Sequence, residues 1–204
     1  KEIHAESGDV QFTDTGLSGI CIFGLSIYAA EYFARGSIGG RSYKGLSVAL
    51  DCLPEWSFSE VSAYLLEMRT AYPERMAGDL LAGVLNLRVG YALVQAAGID
   101  PAQAAKFVAP GQLQKLAAIV KAWHFTITGT KGFQDAQITA GGVPLREVDG
   151  RTMRSRKVEN LYLAGEMLNV HGDCGGYNLH FAWATGLAAG TAAAEAIRRK
   201  GEKR

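Results

Sequence analysis

Leu161-Tyr162-Leu163-Ala164-Gly165-Glu166, followed nine residues later by Gly175-Gly176-Tyr177-Asn178-Leu179, is the stretch on which the reading of this 204-residue chain turns. A short apolar run that stops at a glycine and an acid predicts a buried strand, and the residues from 179 to about 199 predict a long helix rich in small side chains. Strand, glycine loop and helix in this order make a βα half-unit of the kind found in nucleotide-binding sheets. Open α/β sheets bind ligands at the carboxyl ends of their strands, and there Glu166 can accept a hydrogen bond from a ribose or ribityl hydroxyl. Gly175 and Gly176 let backbone approach a bound ring without a Cβ in the way, and the following helix N-terminus offers free N–H groups. A flavin pyrimidine edge or a pyrophosphate suits such a place. Taken alone, the glycine pair reads first as a tight turn; the strand, Glu166 and the helix around it point to a site.

Working outward, the 25 glycines divide the chain into zones: eight in residues 1–45, five in 46–128 and eleven in 129–190. Two loop-rich parts therefore flank a helical part. In the first part, residues 8–13 predict a short strand, 15–19 a turn, and 20–35 an apolar helix with Ser18 as its cap. A second strand over 45–53 ends at Pro54, and Ser57 with Glu60 predicts a capping box for a helix reaching about residue 70. Shorter helices are predicted over 77–85, 88–97, 101–107 and 111–122. From Trp123 the period changes to two, and residues 124–129 and 133–139 predict a hairpin around Gly129-Thr130-Lys131-Gly132. Thr139-Ala140-Gly141-Gly142-Val143-Pro144 is a further glycine turn after a strand.

Composition narrows the function classes. With 48% apolar and 20% charged residues the chain is globular, and a formal net charge of +1 gives no field to gather nucleic acid. No window is long and apolar enough for a membrane span, and no signal peptide is read at the start. Cys21, Cys52 and Cys174 are too few and too far apart for a disulfide framework, which predicts a reducing, cytoplasmic location. His171, Asp173, Cys174 and His180 crowd within ten residues, but their irregular spacing predicts no metal site. Cys174 beside the glycine pair is either a redox thiol or a small loop residue. Trp123, Trp183 and Tyr177 are either core aromatics or stacking partners for a flat ring, with Tyr177 the best placed for the latter.

Thr139-Ala140-Gly141-Gly142-Val143, Thr152-Met153-Arg154-Ser155, Leu161 through Glu166 and Gly175 through Leu179, in that order, resemble the carboxyl-terminal part of FAD-dependent flavoproteins of the aminoacetone oxidase and BaiN-like group. Upstream, Phe12-Thr13-Asp14-Thr15-Gly16-Leu17-Ser18-Gly19 resembles that family's Phe-Thr-His-x-Gly-x-Ser-Gly-Pro element, with Asp14 in place of His and Ile20 in place of Pro. Thr128-Gly129-Thr130-Lys131-Gly132 is similar to its Thr-Gly-Thr-Arg-Gly hairpin. Members of the family open with a strand, a Gly-x-Gly-x-x-Gly turn and a helix that hold the ADP half of FAD; Gly36-Ser37-Ile38-Gly39-Gly40 lacks that spacing.

The resemblance implies an α/β (α+β) chain: part of an FAD-binding Rossmann-like domain plus a β-rich substrate domain with a helical insertion. The expected divisions are 1–53 for the first part of the substrate domain, 54–122 for the insertion, 123–145 for the return strands and 146–204 for the end of the FAD domain. It further implies the carboxyl-terminal portion of an FAD-dependent oxidoreductase whose other half lies outside this sequence. Its partners are then FAD, a small-molecule substrate and that half, with neither nucleic acid nor membrane. The residues expected at the cofactor are Gly141, Gly142, Gly165, Glu166, Gly175, Gly176, Tyr177, Asn178 and Leu179; no catalytic acid or base is named. The chain by itself is expected to be inactive. The alternative is a non-catalytic folded module that binds no cofactor.

Overall fold

The computed structural model describes residues 2–202. The chain divides into two compact units, Lys1–Tyr43 with Gly129–Arg204, and Lys44–Thr128. Among the described residues the strands form three two-stranded antiparallel ribbons, accompanied by five α-helices and four 3-10 turns.

The continuous unit is built on β5 (Ser47–Leu50), α2 (Phe58–Ala71), α3 (Leu87–Ala96), α4 (Pro110–Lys121) and β6 (Trp123–Thr126). The capping box at the start of α2 forms as its sequence predicts: Ser57 Oγ accepts from the Glu60 N–H, and the Glu60 carboxylate accepts from the Ser57 N–H at 2.7 Å. Val61 and Leu65 in α2, and Leu116 and Val120 in α4, stand at helical spacing and are fully buried in one core with Leu93 of α3. Residues 77–85 and 101–107 do not form the expected α-helices. Only 3-10 turns form, at Ala77–Leu81 and Ala105–Phe107; the Pro101 and Gln103 carbonyls, which an α-helix over 101–107 would need, accept instead from the Gly78 and Ala77 N–H groups, and the Ala105 N–H donates to the Arg75 carbonyl. Gly78 is required here, since a Cβ would lie 2.4 Å from the Tyr91 ring. Lys121 ties the loop after β5 to the end of α4, pairing with Asp51 at 2.7 Å and donating to the carbonyls of Leu53 and Trp56.

β6 is a strand as expected, but its partner is β5, with Ser47 opposite Thr126 and Leu50 opposite Trp123, and not residues 133–139. That segment makes turns instead, through Asp135 N–H to Gly132 C=O and Ala136 N–H to Phe133 C=O. Phe133 is 85% exposed, so no apolar face drives pairing there.

In the other unit β1 (Gln11–Thr13) and β2 (Gly16–Ser18) form a hairpin, and α1 runs from Ile20 to Arg35. Ser18 is the last residue of β2 and caps nothing; Gly19 is the N-cap, at φ +116, where a Cβ would meet the Asp9 carbonyl at 2.2 Å. Ser37–Ile38 (β3) and Arg41–Ser42 (β4) pair after α1. The remainder of this unit packs Val148, Met153, Leu168 and Ala189 together, with Tyr162, Leu163 and Phe181 against them. Here α5 (Tyr177–Gly201) is the long helix anticipated from its small residues.

The segment expected to be a regular buried strand, 161–166, is extended but belongs to no regular sheet. Leu161 C=O and Leu163 N–H bond residues 155 and 153, with one bridge from Tyr162 to Arg154, and a 3-10 turn, Gly165–Met167, follows at once. Its opposite edge, carrying the polar backbone groups of Tyr162 and Ala164, takes no backbone partner among the described residues. A strand needs two ladders to become central in a sheet, and only one irregular ladder is supplied.

Candidate functional site

The turn Gly165–Met167 is the hub of the site. On one side it meets the glycine turn at 139–143: Val143 N–H donates to Met167 C=O at 2.8 Å, Asn169 N–H donates to Val143 C=O at 2.9 Å, and the Glu166 carboxylate accepts from the Thr139 N–H. On the other side it meets α5, where the Gly165 N–H donates to Thr185 Oγ1 at 2.9 Å.

The glycines divide by what surrounds them. Gly142, at φ +124, lies so close to the hub that a Cβ would sit 2.6 Å from Met167 O. Gly165, at φ +66, packs on Ala182. Gly141 (φ +104) faces open space, and Gly175 (φ +130) and Gly176 (φ +95) meet only side-chain atoms at 3.8 Å or beyond. Both members of the pair adopt conformations that L side chains rarely take, which is what the sequence spacing required of a turn opening a helix.

Gly176 is the N-cap of α5 and no side chain caps it. The first N–H groups of a helix have no intrahelical acceptor, so those of Tyr177, Asn178 and Leu179 are open to a ligand. Tyr177 and Leu179 are exposed, whereas the Asn178 side chain turns back and brackets Gly172. His180 Nδ1 lies 3.2 Å from Gly176 O, and its ring stands edge-on to Trp183 at 5.9 Å. Leu179, Trp183 and Leu187 follow one another every fourth residue on a face where Trp183 is 69% and Leu187 74% exposed. Trp123 belongs to the other unit, in β6, tilted against Phe125 at 4.8 Å.

Two residues that carry no motif signal in the sequence prove to be structural anchors of this region. Asp149 Oδ1 accepts from the backbone N–H and hydroxyl of Thr152 and from the Arg151 N–H. Those bonds, led by the Thr152 N–H, hold its carboxyl below the usual carboxylate range, with Arg156 adding to the effect. They shape a turn that carries Met153 at φ +56 into the core. The second is Thr185, the one buried polar side chain among the described residues. A threonine in a helix of small residues carries no local signal, and its partner lies twenty positions away.

All three thiols are free, Cys21 buried and Cys174 exposed. Among the described residues no three His, Cys, Asp or Glu side chains gather as metal ligands, and no helix is long and apolar enough to cross a membrane.

With this geometry in view, residues 14–192 match the family described as HI0933-like protein Rossmann domain. The chain belongs to this family. Membership agrees with the α/β class expected from the sequence and with the broader resemblance on which that expectation rested. Among curated relatives, a 3-dehydro-bile acid delta(4,6)-reductase of Clostridium scindens is 37% identical over 190 residues, 93% of this chain and 45% of that protein. Ribosomal RNA dihydrouridine synthases of Escherichia coli and Haemophilus influenzae are 32% and 28% identical, over 91% and 85% of this chain and 44% and 46% of theirs. The chain thus spans a little under half the length of these relatives.

Proposed function

We propose that this HI0933-like chain forms the flavin-ring side of the FAD site of an oxidoreductase, working together with a dinucleotide-binding half of the kind that its relatives' greater length accommodates. The observation that carries the reading is the convergence on one turn of an exposed carboxylate, Glu166, and the open Gly141 loop, in a unit whose long helix begins at an uncapped glycine pair. These residues fit the group: a carboxylate for a hydroxyl, backbone N–H groups for a carbonyl edge, and no Cβ where a ring must approach. The unpaired edge of 161–164 supports the same arrangement, with strands of the other half completing the ladder.

The chemistry that FAD supplies when bound is hydride transfer. Glu166 Oε1 is engaged by Thr139, which leaves its second oxygen as the atom that would accept a hydrogen bond from a ribityl hydroxyl. The N–H groups of Tyr177, Asn178 and Leu179, at the positive end of the α5 dipole, would stabilise negative charge at the pyrimidine edge. The relatives' names denote reduction of carbon–carbon double bonds, in a bile acid and in a uridine of ribosomal RNA. We read the substrate of this chain's full-length protein as an electron-poor alkene that receives a hydride on one carbon and a proton on the other. A small molecule is favoured by the higher identity to the bile-acid reductase; a uridine substrate is the second reading, favoured by the synthase relatives.

Glu166→Ala in the full-length protein tests the reading. Flavin retained per polypeptide after gel filtration, read from visible absorbance, is expected to fall at least tenfold. Unchanged occupancy overturns the role of Glu166, and a colourless full-length parent that takes up no added FAD favours the non-catalytic module.

A further inference from the structure

We propose that Thr185 is a positioning residue that aims Glu166, acting through the backbone of Gly165; the proposal rests on the reading of Glu166 as a cofactor-holding carboxylate. The Thr185 side chain is 6% exposed, and its hydroxyl sits 2.6 Å from the Phe181 carbonyl and 2.9 Å from the Gly165 nitrogen. A hydroxyl has one proton, and it is committed to the helix carbonyl, so the oxygen lone pairs take the Gly165 N–H. Gly165 uses its carbonyl as well, accepting from the Leu168 N–H at 3.1 Å. Both polar backbone groups of Gly165 are therefore fixed, one by α5 and one by its own turn, at a φ of +66 that leaves little freedom to the next Cα. That next residue is Glu166, whose carboxylate reaches the Thr139 N–H. The result is a relay of two hydrogen bonds, Gly165 N–H to Thr185 Oγ1 and Thr139 N–H to the Glu166 carboxylate, from a buried helix hydroxyl to an exposed glycine turn. Replacing Thr185 by valine keeps its shape and deletes only the hydroxyl, leaving the Gly165 N–H buried without an acceptor.

The test has two arms. In this chain, the amide proton of Thr139 reports its bond to the Glu166 carboxylate by NMR. Its resonance is expected to shift upfield in T185V in the same direction as in E166A, and to stay in place in T185S, which keeps the hydroxyl. T185C, a weaker acceptor of similar size, serves if T185V does not fold, and the same shift is expected in smaller measure. A Thr139 resonance that moves in E166A but in neither Thr185 variant overturns the proposal. In the full-length protein, the Kd for FAD is measured by flavin fluorescence quenching for T185V, E166A and the double variant. T185V is expected to weaken binding about tenfold, the equivalent of one lost buried hydrogen bond, and to add nothing in the E166A background. Equal losses in both backgrounds mean that Thr185 acts apart from Glu166 and overturn the proposal. If E166A binds FAD normally, the reading of Glu166 fails, and the Thr139 resonance alone then decides whether Thr185 aims that side chain.

Discussion

Asn178 Oδ1 accepts the Gly172 N–H at 2.8 Å while Asn178 Nδ2 donates to the Gly172 carbonyl at 3.0 Å, so one amide brackets one peptide position from both sides. The bracket folds the loop from 171 to 176 back over the start of α5. Asn178→Leu removes both bonds and Asn178→Asp removes the donor alone. Amide exchange across 171–176 is expected to accelerate at least tenfold in the leucine variant and by less in the aspartate variant, measured by mass spectrometry.

Gly142 and Gly141 are neighbours of like conformation in unlike surroundings, which makes them a matched pair. Alanine at 141 meets only backbone strain, whereas alanine at 142 adds a clash with the Met167 carbonyl. G142A is expected to cost about 1–3 kcal/mol and to free the Val143 and Asn169 amides to exchange. G141A should leave both amides protected.

In the continuous unit Leu65 is fully buried among Val61, Leu93 and Leu116. Truncation to alanine opens a cavity worth about 2–5 kcal/mol. The loss is expected as a lower urea midpoint in the fluorescence of Trp56 and Trp123, the two tryptophans packed against this core.

Burial pushes the Cys52 thiol up to about 11, with the neighbouring Asp51 carboxylate adding to the shift. Iodoacetamide at pH 8 is therefore expected to label exposed Cys174 within minutes and Cys52 only after unfolding. Peptide mass spectrometry distinguishes the two.

Hydrogen bonds from the Ser57 hydroxyl and then the Ser57 N–H hold the Glu60 carboxyl below its ordinary value. A lowered folded value contributes stability above the unfolded pKa, and that contribution is lost as pH falls through the folded one. Between pH 5 and pH 2.5 the thermal midpoint is expected to fall more in the parent than in Glu60→Gln, followed by circular dichroism.

Much of the helical architecture was legible because its signals are local. The capping box needs only Ser57 and Glu60, and α1 follows from an apolar run between Gly19 and Gly36. Pairing was not legible in the same way. Alternation in 123–126 specified a strand but not that Leu50, more than seventy residues earlier, would lie opposite Trp123. In the candidate site the glycine pair and Glu166 announced themselves through spacing, whereas Thr185 acquires its role only when α5 comes back beneath Gly165. A buried hydroxyl and an exposed one look alike in sequence.

The face of α5 that carries Leu179, Trp183 and Leu187 bears on handling as well as on binding. With Phe181, Thr185 and Ala189 turned toward the core and Leu179, Trp183 and Leu187 turned outward, the first half of this helix exposes a broad apolar face. An exposed apolar face of this size favours self-association, and a charged residue in place of Leu187 is expected to weaken it.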